Sequence, residues 1–356
     1  MTSFSQRPTW RHPGVAASLA AALLFGAAAP LAKLLLLQVS PWLLASLLYL
    51  GSGLGLLLLR RLRGAAPVRL RPGEARWLAG AVLAGGVAGP VLLMLGLAGM
   101  PASQASLLLN AEGVLTALLA WFVFRENVDR RVALGMAAIV AGGVVLAWPR
   151  EGTADAGTSA LLVLAACLAW AIDNNLTRKV SLADASWIAM VKGLAAGGTN
   201  LVLALALGAS WPALPSVGAA ALLGFFSYGV SLVLFVLGLR SLGTARTGAY
   251  FSVAPFFGAL LAVLLLGEAV DARLAFAAAL MALGVWLHLT ERHEHRHAHR
   301  ALEHAHEHVH GAGDEHHEHA HVPSVPPGTK HSHPHRHEPM VHSHPHFPDA
   351  HHRHEH

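Results

Sequence analysis

Ten apolar stretches separated by short polar connections occupy most of the first 290 residues, at about 14 to 37, 41 to 59, 77 to 99, 101 to 124, 132 to 148, 159 to 177, 184 to 208, 217 to 239, 242 to 266 and 274 to 290. Most reach the roughly 20 residues that a helix needs to cross a hydrocarbon core of about 30 Å. In lipid each backbone amide must be satisfied within the protein, and stretches of this length do so as helices. The expected fold class is therefore an all-α membrane protein with ten transmembrane helices. Composition agrees, since 54% apolar and 13% charged residues lie far from a soluble domain. The opening MTSFSQRPTWRHPGV has two arginines but no small-residue cleavage site, which reads as a retained first helix. A single cysteine, Cys167, excludes a disulfide framework and reads as a core thiol.

The chain also carries one unit twice. Residues 117 to 133, ALLAWFVFRENVDRRVA, and residues 259 to 275, ALLAVLLLGEAVDARLA, agree at nine of seventeen positions across a separation of 142. At a separation of 145, Trp42 meets Trp187 after short polar linkers. Duplication of an apolar unit is a common build of secondary transporters, with the substrate held where the copies meet. Lys and Arg at the connections fix the orientation. With the N-terminus inside, fifteen fall on the cytoplasmic side and two, Arg150 and Arg273, on the other. Five helices per copy is odd, so the second copy enters from the opposite face and the repeats are inverted. The expected organisation is a cytoplasmic segment 1–13, a first repeat 14–148, a periplasmic linker 149–158, a second repeat 159–290 and a tail 291–356. Location in the cytoplasmic (inner) membrane with both termini cytoplasmic follows. Trp42, Trp77, Trp148, Trp187 and Trp211 fall at expected helix ends, where amphipathic rings sit at the interface.

These residues resemble the drug/metabolite transporter superfamily, and its EamA-type members in particular. The resemblance covers about residues 14 to 290 and rests on the ten-helix pattern, the paired ALLA…E.VD.R endings, and LLLNAEGVLTALLAWFVFRENVDRR with its internal carboxylate Glu112. Where many members repeat a Glu-Pro in the second copy, this chain has Ala254 and Pro255. The resemblance implies transport without naming a cargo, because the family spans amino acids, nucleotide sugars, amines and drugs.

Charged and polar groups inside the apolar stretches cost about 2.5 to 3.5 kcal/mol each at a helix centre, so they are expected to face the bundle interior. Glu112 lies about eleven residues into its helix, roughly 17 Å deep. It reads either as a protonatable coupling or cation-binding group or as a carboxyl used for packing. Asn110 precedes it and faces away. Asp173 and Lys192 flank the turn near Leu182 symmetrically, so neighbouring antiparallel helices bring them to similar depth, either as an ion pair or as a substrate contact. Asn174, Asn175 and Asn200 are candidate hydrogen-bond partners there. Lys33 is expected to snorkel to the interface. Tyr49, Tyr228 and Tyr250 fall within helices, where phenols need partners and a shared polar cavity would provide them. Pro30, Pro90 and Pro255 are candidate hinges or gates, and the glycines of AGGVAGP before Pro90 suggest close helix packing. The repeated carboxylates Glu126, Asp129, Glu268 and Asp271 at helix ends read as structural or gating elements.

From Glu291 onward the chain turns polar and holds 23 of its 25 histidines. Disorder is the expectation, since the segment has no sustained apolar period. His293, His295, His297, His299, His304, His306, His308, His310, His316, His317, His319 and His321 are candidate ligands for Zn²⁺, Ni²⁺ or Co²⁺. Three readings compete: metal delivery, metal or pH sensing, and a solvating extension. No GxxxxGK[ST] is present, and no catalytic constellation survives, so an enzyme is not expected. The leading expectation is a secondary transporter exporting a small metabolite, amino-acid-like solute or drug, proton-coupled through Glu112. The alternatives are a divalent-metal exporter or metal-regulated transporter, and a membrane-anchored metal reservoir or sensor. No cofactor is required. The expected partners are the lipid bilayer, a small solute and transition metals at the tail, with a homodimer left open and no nucleic acid.

Overall fold

A computed structural model describes residues 13–68, 70–124, 130–148, 154–180, 184–242, 244–289 and, in the His-rich segment, 294–299, 302–309, 330–337 and 340–345. The chain divides into two units, Met1–Glu291 and Arg292–His356.

Each of the apolar stretches is helical, and several are interrupted. The first is α1 (Pro13–Gly26) and α2 (Ala28–Leu35), joined at Ala27. Pro30 has no N–H, so the Gly26 carbonyl loses its usual partner four residues on. α3 (Pro41–Leu62) opens with a proline where a missing N–H costs nothing. The third stretch is α4 (Glu74–Ala81), a π-helical turn Val82–Ala88, and α5 (Gly89–Ala98). α6 (Ala102–Leu108) and α7 (Ala111–Phe124) make the fourth, broken at Leu109 and Asn110, and α8 (Arg130–Ala147) the fifth. The second half runs α9 (Ala154–Thr177), α10 (Ala185–Ala206), α11 (Leu214–Gly224), a π-helical turn Phe225–Val230, α12 (Ser231–Leu242), α13 (Thr244–Phe251), α14 (Ala254–Leu266) and α15 (Ala272–Leu289). Among the described residues, seven helical runs are long and apolar enough to cross a membrane: Gly14–Leu35, Pro41–Leu62, Glu74–Ala98, Arg130–Ala147, Gly157–Thr177, Ala185–Ala206 and Leu214–Gly238. Ala254–Leu266 and Ala272–Leu287 are apolar and shorter. Large apolar side chains face outward along the helices, Leu58, Phe122, Val202 and Phe276 among them, a surface suited to lipid and not to water.

The duplication is visible in the geometry. α8 and α15 are both 18 residues long and start 142 residues apart, as do α6 and α13. A π-helical turn interrupts the third run of each half, and the break at Leu109–Asn110 recurs at Ser252–Val253. Packing exchanges in the same way. α1 packs on α12, α13 and α14 of the other half, while its counterpart α9 packs on α5, α6 and α7. α3 pairs with α10, and α8 with α15, between the two halves.

Packing differs between the two ends of the bundle. At the end bounded by the α2–α3, α5–α6, α10–α11 and α14–α15 turns, one continuous core takes residues such as Leu43, Met94, Leu108, Ala166, Ala262 and Met281 from both halves. Toward the other end, described buried residues form two smaller, separate clusters. Val114, Met136, Ile139 and Val285 form one; Leu78, Val180 and Ile188 form the other. Among the described residues, one end of the bundle is therefore sealed by a shared core, and the other is divided between two smaller clusters.

In the second unit, β1 (Glu294–His299) pairs antiparallel with β4 (Met340–Pro345), and β2 (Leu302–Val309) with β3 (Lys330–His337). The sequence leads one to expect irregular chain here, and the described backbone contains two isolated two-stranded ladders. Such ladders are marginal in water, and His-Glu alternation provides no apolar face to add a core. The candidate ligands His293, His310, His316, His317, His319 and His321 lie outside the described residues; the others fall on β1 and β2.

Candidate functional site

The site is organised by Pro90. Within the π-helical turn the Gly89 N–H reaches back to the Ala84 carbonyl, so it no longer serves Gly85. The following residue is Pro90, which has no N–H for either Gly85 or Gly86. Three other helices satisfy the freed carbonyls. Tyr49 Oη of α3 and Trp170 Nε1 of α9 each donate to Gly85 O at 2.9 Å. Asn200 Nδ2 of α10 donates to Gly86 O and Val87 O at 3.3 Å. The glycines also permit close approach, as the sequence suggests. A methyl on Gly86 would sit 2.6 Å from Ala196 Cβ, one on Gly89 would sit 2.7 Å from Trp170 Nε1, and one on Gly85 would collide with the Asp173 carboxylate.

Against that turn lies the expected charge pair. Lys192 Nζ donates to both Asp173 oxygens at 2.6 Å, and Thr177 Oγ1 donates to Asp173 Oδ1 at 2.8 Å. The side chains are 18% and 7% exposed respectively, so this is a nearly buried ion pair between α10 and α9. The three asparagines expected to serve it are used elsewhere, because the next residue on a helix points about 100° away. Asn174 Nδ2 donates to Glu112 Oε1 at 2.9 Å and faces Thr116 Oγ1 at 3.4 Å. Asn175 Nδ2 donates to Ala171 O at 2.9 Å and Thr116 O at 3.4 Å. Asn200 holds the π-helical turn. Consecutive residues of α9 thus connect the Asp173–Lys192 pair to Glu112 on α7, and Glu112 lies within electrostatic range of both charges.

An aromatic wall adjoins the charges. Tyr49 and Tyr228 have ring centroids 5.6 Å apart, Tyr228 meets Phe25 edge-on at 5.8 Å, and Phe25 meets Phe251 at 5.4 Å. Tyr228 sits on the second π-helical turn, a feature frequent at functional sites. Tyr250 lies in α13, and no described contact joins it to this wall. Asn110 turns away as expected, donating to Leu107 O at 2.9 Å with Met281 Sδ at 3.9 Å. Pro255 is the second residue of α14, immediately after the Ser252–Val253 break.

Charges at helix ends do different work. Lys33 does not snorkel freely: its Nζ donates to Leu97 O at 2.7 Å and to Ala98 O and Met100 O at 3.0 Å, capping α5. Glu268 accepts from the backbone N–H groups of Ala102 at 2.7 Å and Ser103 at 2.8 Å, capping α6. Asp271 caps α15 through the Leu274 N–H at 2.7 Å. Arg273 donates to carbonyls of Val145, Leu146 and Trp148 at the end of α8, while its repeat counterpart Arg131 lies over the Trp286 ring near the end of α15. Glu126 and Asp129 lie outside the described residues. At the opposite end, Arg60 Nη1 bonds Asp184 Oδ1 at 2.9 Å, and Asp184 caps α10 through the Trp187 N–H at 3.0 Å. Partial burial pushes the Asp184 carboxyl up, but hydrogen bonds from Ser186, the Trp187 N–H and Arg60, with the Arg60 charge, hold it below the usual carboxylate range.

Among the described residues no group of three His, Cys, Asp or Glu side chains is placed to hold a metal ion. A cavity of about 320 Å³ beside Val144, Val145, Trp148 and Arg273 shares no residue with the charge cluster.

A duplicated bundle of apolar helices with charges buried at the contact between its halves defines a multi-pass membrane protein of the transporter class. The EamA-like transporter family matches residues 12–148 and 157–290, once for each half, and the chain belongs to that family. It is 27% identical over 292 residues to an uncharacterized transporter of Methanothermobacter thermautotrophicus, covering 77% of this chain and 85% of that one. A probable amino-acid metabolite efflux pump of Salmonella typhimurium is 37% identical over 83 residues, 23% of this chain and 28% of the pump. A solved crystal structure shares the fold with a TM-score of 0.59 at 22% identity, over 79% of this chain and 99% of that one.

Proposed function

We propose that this protein is a secondary transporter crossing the cytoplasmic membrane ten times, as two inverted five-helix copies with cytoplasmic termini, and that it exports a small amino-acid-like solute. The observation that carries this reading is the position of the Glu112, Asp173 and Lys192 cluster. Trp170, one turn before Asp173, belongs to the continuous core of the sealed end, and Val114, beside Glu112, belongs to a cluster of the divided end. A solute entering the divided end, the cytoplasmic one by the arginine bias, would reach these charges and stop at the core beyond them.

The chemistry suits a zwitterion. Lys192 offers an ammonium to a carboxylate and Asp173 a carboxylate to an ammonium, so a solute carrying both could exchange partners with the pair. Binding then avoids leaving either buried ion alone. Tyr49, Tyr228 and Phe25 supply an apolar surface for the rest of the molecule. Glu112 is the proton-coupling group in this reading, held by Asn174. The similarity to the Salmonella efflux pump supports an amino-acid-related cargo, over its short match only. The test is flux of an amino-acid panel in proteoliposomes containing the full chain, with and without a proton gradient. Glu112→Gln should insert normally and lose the gradient dependence; unchanged gradient-driven flux removes Glu112 from the mechanism.

A further inference from the structure

We propose that Lys33 and Glu268 form a two-charge clamp that holds the sealed end of the bundle shut, and that its release opens the solute path there. The inference rests on the transporter reading. Both charges converge on one turn, Gly99–Met100–Pro101, which joins α5 to α6. Lys33 comes from α2 and places a cation on the last carbonyls of α5, while Glu268, from the turn before α15, places an anion on the first N–H groups of α6. Each sign matches the partial charge of the helix end it meets. Three separate segments, α2, the α5–α6 turn and the α14–α15 turn, are thereby tied together where the continuous core reaches the surface.

The apolar core beneath cannot discriminate open from closed by direction, since dispersion contacts are individually weak and non-directional. Five charge-assisted hydrogen bonds at fixed helix ends can. The three Lys33 bonds break together when α2 moves away from the end of α5, and the two Glu268 bonds when the α14–α15 turn moves away from α6. The same charge types recur in the sequence of the other copy: Arg178 stands 145 residues after Lys33, and Glu126 stands 142 before Glu268.

The experiment measures distances between spin labels on the full-length protein, in a Cys167→Ala background, at Ala98→Cys and Val270→Cys, both exposed positions flanking the clamp. With Lys33 and Glu268 intact, one short-distance population is expected. Lys33→Met and Glu268→Gln should each add a longer-distance population, raising its share by roughly tenfold, the scale of a lost charge-assisted hydrogen-bond set. Lys33→Arg and Glu268→Asp should restore the short distance. Asp271→Ala, which removes the cap on the Leu274 N–H in the same turn, should leave the distribution unchanged. A melting temperature that falls while the distances stay put would make both residues structural caps and overturn the proposal, as would the same shift in Asp271→Ala. Because no solute enters the measurement, the clamp fails or stands separately from the transport assay.

Discussion

Removing one partner of the Asp173–Lys192 pair should be far more damaging than removing both. At 2.6 Å the two charges attract by about 6 kcal/mol at an effective dielectric constant of about 20. Taking each ion out of water costs several kcal/mol, so the pair is near balance while either half alone is not. Lys192→Met leaves a carboxylate 7% exposed with only Thr177 as a described partner, and Asp173→Asn leaves an ammonium 18% exposed. Each single variant should lose about 3–5 kcal/mol. The double variant Asp173→Asn/Lys192→Met keeps an amide near Thr177 and buries no unpaired charge, so it should be more stable than either. A double-mutant cycle read from urea unfolding in detergent micelles, followed by tryptophan fluorescence, should give a coupling of at least about 2 kcal/mol. Additive losses would refute the pairing as an energetic unit.

The Gly85 carbonyl has two donors, which predicts a non-additive response. Tyr49→Phe or Trp170→Phe alone should cost about 1 kcal/mol or less, whereas both together should cost more than their sum, by about 1–3 kcal/mol for the orphaned carbonyl, in the same unfolding assay. Asp184 makes stability pH-dependent at the end opposite the clamp. Its folded pKa lies below its unfolded value of about 3.9, so its contribution is full above that value and is lost as pH falls through the folded one. Asp184→Asn should flatten that acid limb of the melting-temperature profile, while an unchanged limb would assign it to other groups. For the tail, deleting residues 291 to 356 should abolish Ni²⁺ and Zn²⁺ binding in calorimetry while leaving amino-acid flux intact; lost flux would bring the tail into the transport step.

Much of the bundle was legible because lipid allows so few alternatives. The apolar runs became helices, and the 142-residue repeat reappeared as matched starts of α6 and α13 and of α8 and α15. The Asp173–Lys192 contact followed from their equal distance to one turn. What the sequence concealed was rotation and backbone register. Asn174 and Asp173 are neighbours in the chain, yet they point to different helices, so the Asn174–Glu112 bond could not be assigned from proximity. The two π-helical turns left no sharp signal either. Pro90 was visible as a donor gap, but which side chains would fill it depended on α3, α9 and α10 arriving at one place. Lys33 looked like a snorkelling residue because its partners are backbone carbonyls 64 to 67 residues away, which no local pattern reveals.

The central claim is that the charge cluster handles the solute, and the doubly neutral variant tests it most directly. Asp173→Asn/Lys192→Met should remain folded, since no buried charge is left unpaired, and should insert into proteoliposomes like the parent chain. Amino-acid flux measured in both at matched protein density should then be lost in the variant while its stability stays close to the parent's. Flux at the parent's rate in a chain without either charge would place the solute elsewhere and contradict the assignment.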